Sequence, residues 1–231
     1  MAGHFIKEIE KLKTQILALS AVVEEDLRRA VRSIEDRDAG LAEKVIEEDA
    51  RIDRQEVDVE EECLKILTLY QPVATDLRFV IAVLKINSDL ERIGDLAVNI
   101  AERAIFLSTM PPPLVPLDFT RMMEKVQEMV KKSLDSLVRL DAALAREVCA
   151  DDDVVDDLNR EMYELIKEGI RRNPTKENIN VMIHLLSVSR HLERIADHAT
   201  NIAEDLIYMI EGEIVRHRTE DYKNQSKPME R

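Results

Sequence analysis

The chain contains no tryptophan, only 3% aromatic residues, five glycines and seven prolines in 231 residues. So few helix breakers, set in a background rich in Ala, Leu, Ile, Glu, Lys and Arg, favour long helices. A surplus of basic charge is also missing: the formal net charge is −14. Such a surface repels nucleic-acid phosphates and anionic lipid headgroups. No basic cluster along the chain is large enough to reverse this locally, which argues against polyanion binding and against capture of a free anion by an Arg/Lys nest. Cysteine is nearly absent. Cys63 and Cys149 have no CxxC neighbour and read as buried, reduced thiols suited to a reducing cytoplasm. No apolar run approaches the ~18–20 residues of a membrane span, and the N-terminus lacks a signal-length apolar core. A soluble chain is expected, meeting membranes only through partners.

What the sequence does have is helical periodicity. Apolar residues at Phe5, Ile9, Leu12, Ile16, Leu19, Val23, Leu27, Ala30 and Ile34 form one long stripe. A turn is expected near Asp36–Gly40, then helices over about 41–70 and 74–109, separated by Gln71-Pro72. The segment Met110-Pro-Pro-Pro-Leu-Val-Pro116 cannot continue a helix. Beyond it, Phe119, Met122, Val126, Met129, Leu137, Leu140 and Leu144 mark a fourth helix. A fifth is expected over 151–172, a break at Asn173-Pro174, and a sixth over 175–210, stopped by Gly212. This divides the chain into a first unit (1–110), a proline-rich linker (111–117), a second unit (118–212) and a polar, flexible tail (213–231).

The two units repeat each other. LERIGDLAVNIAE at 90–102 and LERIADHATNIAE at 192–204 agree at 10 of 13 positions. Asp38, Leu41, Val45 and Asp49 recur as Asp141, Leu144, Val148 and Asp152. The fold class is therefore all-α: two tandem three-helix bundles, six long helices from an internal duplication. In each third helix an unbroken apolar seam (Phe79 to Leu107, Val181 to Met209) steps by four and three, the pattern of left-handed bundle packing.

Opposite the seams run acidic stripes: Glu91, Asp95, Asn99 and Glu102, and again Glu193, Asp197, Asn201 and Glu204. The second and fifth helices carry Asp49/Asp53 and Asp152/Asp156 at the same i, i+4 spacing. In an antiparallel hairpin, facing residues have numbers of constant sum. Asp49 with Asp95 and Asp53 with Glu91 both give 144, twice the number of Pro72; Asp152 with Asp197 and Asp156 with Glu193 both give 349, centred beside Pro174. Each hairpin thus brings four carboxylates to one level. Two like charges ~6 Å apart repel by about 3 kcal/mol at an effective dielectric near 20. Solvent, arginines (Arg92 and Arg194 stand at the stripe edges) or bound cations would relieve this. Hard oxygen donors suit Mg²⁺, Mn²⁺, Ca²⁺ or iron, and Zn²⁺ less well; a plainly solvated acidic face is the alternative.

His184, His191 and His198 recur every seven residues on the sixth helix, about 120° from the carboxylates, and read as a surface or interface stripe. No Glu-x-x-His di-iron motif, Ser/His/Asp set, P-loop or GxGxxG is present, and no catalytic residue is assigned. Gly94 reads as a close-packing point.

The doubled motif, with YQPVATDLR at 70–78, resembles the PhoU family over about residues 4–217. That resemblance implies a cytoplasmic, often dimeric protein that represses the phosphate-starvation response and restrains phosphate uptake. It implies two partners, the ATPase subunit of a phosphate ABC transporter and a membrane sensor histidine kinase, and recruitment to the inner membrane face. It also implies metal clusters of iron or zinc on Glu91/Asp95, Glu193/Asp197, Asp49/Asp53 and Asp152/Asp156. The second half reads RRNPTKEN where the first has QPVATDLR, so contacts of Asp76 or Arg78 are expected to be one-sided. Two other readings stand beside the adaptor: a metal-dependent phosphohydrolase, and a metal-free helical scaffold.

Overall fold

A computed structural model describes residues 2–112 and 119–215. Six helices make up the fold: α1 (Ala2–Glu35), α2 (Ala39–Tyr70), α3 (Ala74–Ser108), α4 (Thr120–Arg139), α5 (Ala142–Arg172) and α6 (Lys176–Glu211). Most of the linker and of the tail (residues 113–118 and 216–231) lies outside the described residues. Val215, expected in the tail, is instead buried.

The helix breaks have local causes. Arg37 turns the chain through a left-handed backbone (φ 53°), and Asp38 then caps α2 by accepting from the Leu41 N–H at 3.0 Å. The second unit repeats the device: Leu140 is left-handed (φ 53°), and Asp141 accepts from the N–H groups of Ala143 and Leu144. This corrects the fourth and fifth helices. The apolar stripe running through Leu144 hides a corner at Leu140, and α5 begins at Ala142 rather than 151. At the first hairpin tip, Gln71 (φ 46°) and Ala74 (φ 50°) flank Pro72 in a conformation non-glycine residues rarely adopt. Gly212 closes α6 at φ 79°.

α1 packs on α2 and α3, and α4 on α5 and α6. α3 and α6 pack against each other along their length, joining the units, and α1 also meets α4. Every seam residue is buried except half-buried Phe79. The α3–α6 pair is antiparallel: the Phe106 ring stacks on His184 (centroids 3.8 Å apart), Lys85 Nζ lies 3.1 Å from Asp205, and His198 Nδ1 lies 2.7 Å from Asp89. The duplication offset then places a pseudo-two-fold axis at the level of Gly94 and Ala196. A Cβ on Gly94 would sit 3.1 Å from Ile52 Cδ1, which makes it the close-packing point expected.

Arginines close both central helices. Arg37 donates to the carbonyls of Leu107 and Met110 at the end of α3. Arg78 lies against Gly212 at the end of α6; Asn180 takes its place in the second unit. Cys63 and Cys149 are buried, which pushes both thiols up to about 12 and keeps them protonated.

Candidate functional site

The open faces of the α2–α3 and α5–α6 hairpins each carry one carboxylate quartet. In the first groove the charges of Asp53 and Asp95 act on Asp49, and those of Asp95 and Asp53 on Glu91. In the second, Asp197 and Asp156 act on Asp152, and Asp156 and Asp152 on Glu193. All eight side chains therefore stand in the two groups that hairpin register dictates. Most are half-buried; Asp53 and Asp197 are exposed.

Partial burial acts on these carboxylates more strongly than their mutual repulsion. Desolvation is the largest cause raising Asp49, Glu91, Asp152, Glu193 and Asp197 above the usual carboxylate range, and like charge adds to it. Asp152 is pushed up to about 6, even though the Thr200 hydroxyl donates to it at 3.2 Å. The cations help only in part. Arg92 Nε lies 3.5 Å from Glu91, Arg190 and Arg194 lower Glu193, and Arg194 also lowers Asp197.

The donor chemistry fits a hard cation: carboxylate oxygens, crowded and only partly neutralised. The side chains as oriented are not a finished cage, since no three His, Cys, Asp or Glu among the described residues converge closely enough to hold an ion. Rotation about χ1 and χ2 would be needed to bring them together. The outer stripe positions are occupied otherwise. The Asn99 amide donates to the Asp95 carbonyl at 2.7 Å, Asn201 Nδ2 reaches Asp89 at 3.4 Å, and Glu102 lies 3.5 Å from Arg103. Glu204 lines a small hollow with Lys85 and Tyr208.

All three α6 histidines turn toward α3 rather than the carboxylates. His184 stacks on Phe106 and His198 pairs with Asp89. His191 shares a 3.0 Å hydrogen bond with Ser187, whose hydroxyl also meets Arg103. Burial, with Arg103 beside them, lowers the pKa of His184 and His191, so both rings are neutral at pH 7. Of the two expectations, surface or interface, the interface holds.

A fifth carboxylate escaped the sequence reading. Glu56, seven residues past Asp49, accepts from the buried Asn87 amide at 2.9 Å. Its pKa is raised by burial, then by Glu60 and Asp53. The second unit keeps this polar joint with other residues: Ser189 donates to Asn159 at 2.6 Å. The i+7 spacing was the available signal.

The sequence profile of the PhoU domain matches residues 16–104 and again 119–206. The chain is 44% identical, over 92% of its length and 95% of the relative's, to a phosphate-specific transport system accessory protein PhoU homolog of Aquifex aeolicus. It is 38% identical to the homolog of the same name from Pseudomonas aeruginosa, over 94% of this chain and 89% of that one. The crystal structure of PhoU from Pseudomonas aeruginosa superposes with a TM-score of 0.85 at 37% identity, covering 90% of this chain and all of that one. The phosphate transport system regulatory protein PhoU from Streptococcus pneumoniae gives 0.80 at 30% identity, covering 91% and 99%. Among the described residues, no helix is long and apolar enough to cross a membrane.

Proposed function

Because the chain belongs to the PhoU family, we propose that it regulates phosphate transport as an accessory protein, restraining uptake and repressing the phosphate-starvation response by binding other proteins rather than by catalysis. It acts as an adaptor, as a homodimer at the inner face of the membrane. The partners are the ATPase subunit of the phosphate ABC transporter and the sensor histidine kinase. Two matched carboxylate grooves on one six-helix body carry this reading, because they offer paired and nearly equivalent seats. Asp49, Asp53, Glu91 and Asp95 would hold cations in one groove, and Asp152, Asp156, Glu193 and Asp197 in the other. A bound divalent or trivalent ion, of iron, zinc, manganese or magnesium, would neutralise the repulsion that burial intensifies. Loading competes with protons, so affinity falls as pH drops through the raised carboxylate values. A difference of about 1–3 kcal/mol in affinity for the two states of the transporter suffices to couple it to the kinase.

The test is co-purification with the transporter ATPase and with the kinase at high and low phosphate, using native protein and the Asp95→Ala/Asp197→Ala variant, with elemental analysis of each. Retention that depends on phosphate supply is expected, together with metal lost in the variant. No retention of either partner at any phosphate level would refute the adaptor. Equal, negligible metal in both proteins would leave a metal-free scaffold.

A further inference from the structure

One turn past Asp53 on α2 stands Glu56, and one turn before Glu91 on α3 stands Asn87, so each lies on the same helix face as its quartet neighbour. They meet across the hairpin: Asn87 Nδ2 donates to Glu56 Oε1 and to the Glu56 carbonyl, both at 2.9 Å. Asn87 is 1% exposed, and no donor among the described residues reaches its Oδ1. Buried amide oxygens nearly always have a partner. The negative charges of Asp53 and Glu56 also act on Glu91, and those of Glu60 and Asp53 on Glu56. An orphaned amide oxygen and three crowded carboxylates thus border one place. Water would satisfy the amide and leave the carboxylates repelling; a cation satisfies both.

The duplication supplies an internal control. In the second unit Asn159 and Ser189 take the places of Glu56 and Asn87, and they answer each other: Ser189 Oγ donates to Asn159 Oδ1 at 2.6 Å. That joint is neutral, and the chain's own arginines flank it. Arg160 lies 3.8 Å from Asp156, and Arg190 and Arg194 lower Glu193. The places of Arg160 and Arg190 in the first unit belong to Val57 and Ser88. The first groove therefore has one carboxylate more and two arginines fewer.

We propose that the first groove holds a cation seat beyond its quartet, formed by Glu56, Asp53 and Glu91 with the amide oxygen of Asn87, and that the second groove has no such seat. The donor set, carboxylates with an amide carbonyl, is that of a hard divalent ion such as Mg²⁺, Mn²⁺ or Ca²⁺. Asn87 is the fixed member, held by its two hydrogen bonds. Half-buried Glu56 and Glu91 and exposed Asp53 rotate to close on the ion. The two grooves then load unequally, the first taking one ion more than the second. The seat rests on the cation-binding reading above and adds a difference in capacity between the grooves.

Counting bound Mn²⁺ tests both and tells them apart. The full chain, stripped of metal by a chelator, is titrated with Mn²⁺, and the electron paramagnetic resonance signal of the free ion gives the number bound per chain. Physiological salt screens diffuse attraction to the acidic surface. Glu56→Gln removes one charge and keeps an acceptor for the Asn87 amide. Glu56→Asn/Asn87→Ser installs the pair that the second unit already uses, so the joint stays satisfied. Circular dichroism melts without metal check that both variants fold. Each variant should bind one Mn²⁺ fewer than the native chain and keep the rest. A native chain that binds no Mn²⁺ would overturn the cation-binding reading and this seat together. A native chain that binds Mn²⁺ while either variant binds as many, or loses every ion, would overturn the separate seat alone.

Discussion

In the first unit Ile52 packs beside Gly94; in the second, Val155 stands in the place of Ile52 and Ala196 in that of Gly94. One methylene has moved across the helix contact, and the four residues stay buried. The same trade recurs at the next polar joint, Asn87 with Glu56 in one unit and Ser189 with Asn159 in the other. Elsewhere the units do not compensate. Asp26, 2% exposed on α1, stands where α4 has the fully buried Met129. At the outer ends of the grooves, Arg160 and Arg190 line a hollow of the second unit where the first unit has Val57 and Ser88. Helix packing and the carboxylate quartets have stayed alike where each side chain answers to a partner across the hairpin, while positions without such a partner have diverged.

The sharpest way to break the comparison is at the seams. Leu90→Ala and Leu192→Ala remove fully buried, equivalent side chains, and each should cost about 2–5 kcal/mol in denaturant unfolding. Because α3 and α6 share one interface, both variants should unfold in a single transition; two separate transitions would show that the units are energetically independent.

Next comes Asp26→Asn. Burial is the largest cause raising the Asp26 carboxyl to about 6; Arg29 opposes it at 3.4 Å, and Glu48 and Glu25 add to it. A folded-state pKa above the unfolded value means stability that is full below about pH 4 and is lost as pH rises through 6. The Asn variant should therefore be more stable than native above pH 7, by about 3 kcal/mol, and the gain should vanish near pH 4. Thermal melts across that range read it directly. A gain that does not depend on pH would assign the effect to packing.

The smallest effect sharpens the methylene trade. Gly94→Ala gains helix propensity but presses on the end of Ile52. In the Ile52→Val background it should stabilise by up to about 1 kcal/mol, and in the native background by less. A double-mutant cycle with no coupling would mean that Ile52 simply turns aside.

Much of this architecture was legible in the residues because hairpin geometry is arithmetic. Pro72 and Pro174 fixed the fold points, and constant sums then paired Asp53 with Glu91 and Asp156 with Glu193. The corner at Leu140 was not legible, since a left-handed residue can interrupt a helix without interrupting its apolar stripe. The repeat of Asp38 as Asp141 was the cue, because both cap the helix that follows. Nor does periodicity within one helix say which other helix it will face. That is why His191 and His198 read ambiguously until α3 was laid beside α6, and why Arg160 and Arg190 met only in three dimensions.

The contact of His198 with Asp89 has a consequence for the symmetry of the joint. Identical halves related by a true dyad would make this contact twice, but the symmetric place of the His198–Asp89 pair is held by Leu96 and His191. The acid–imidazole bond is thus made on one side of the pseudo-dyad, and its symmetric place has no acid. The joint between the units is therefore asymmetric, and a change at Asp89 or His198 acts on one end of the α3–α6 contact without an equivalent at the other.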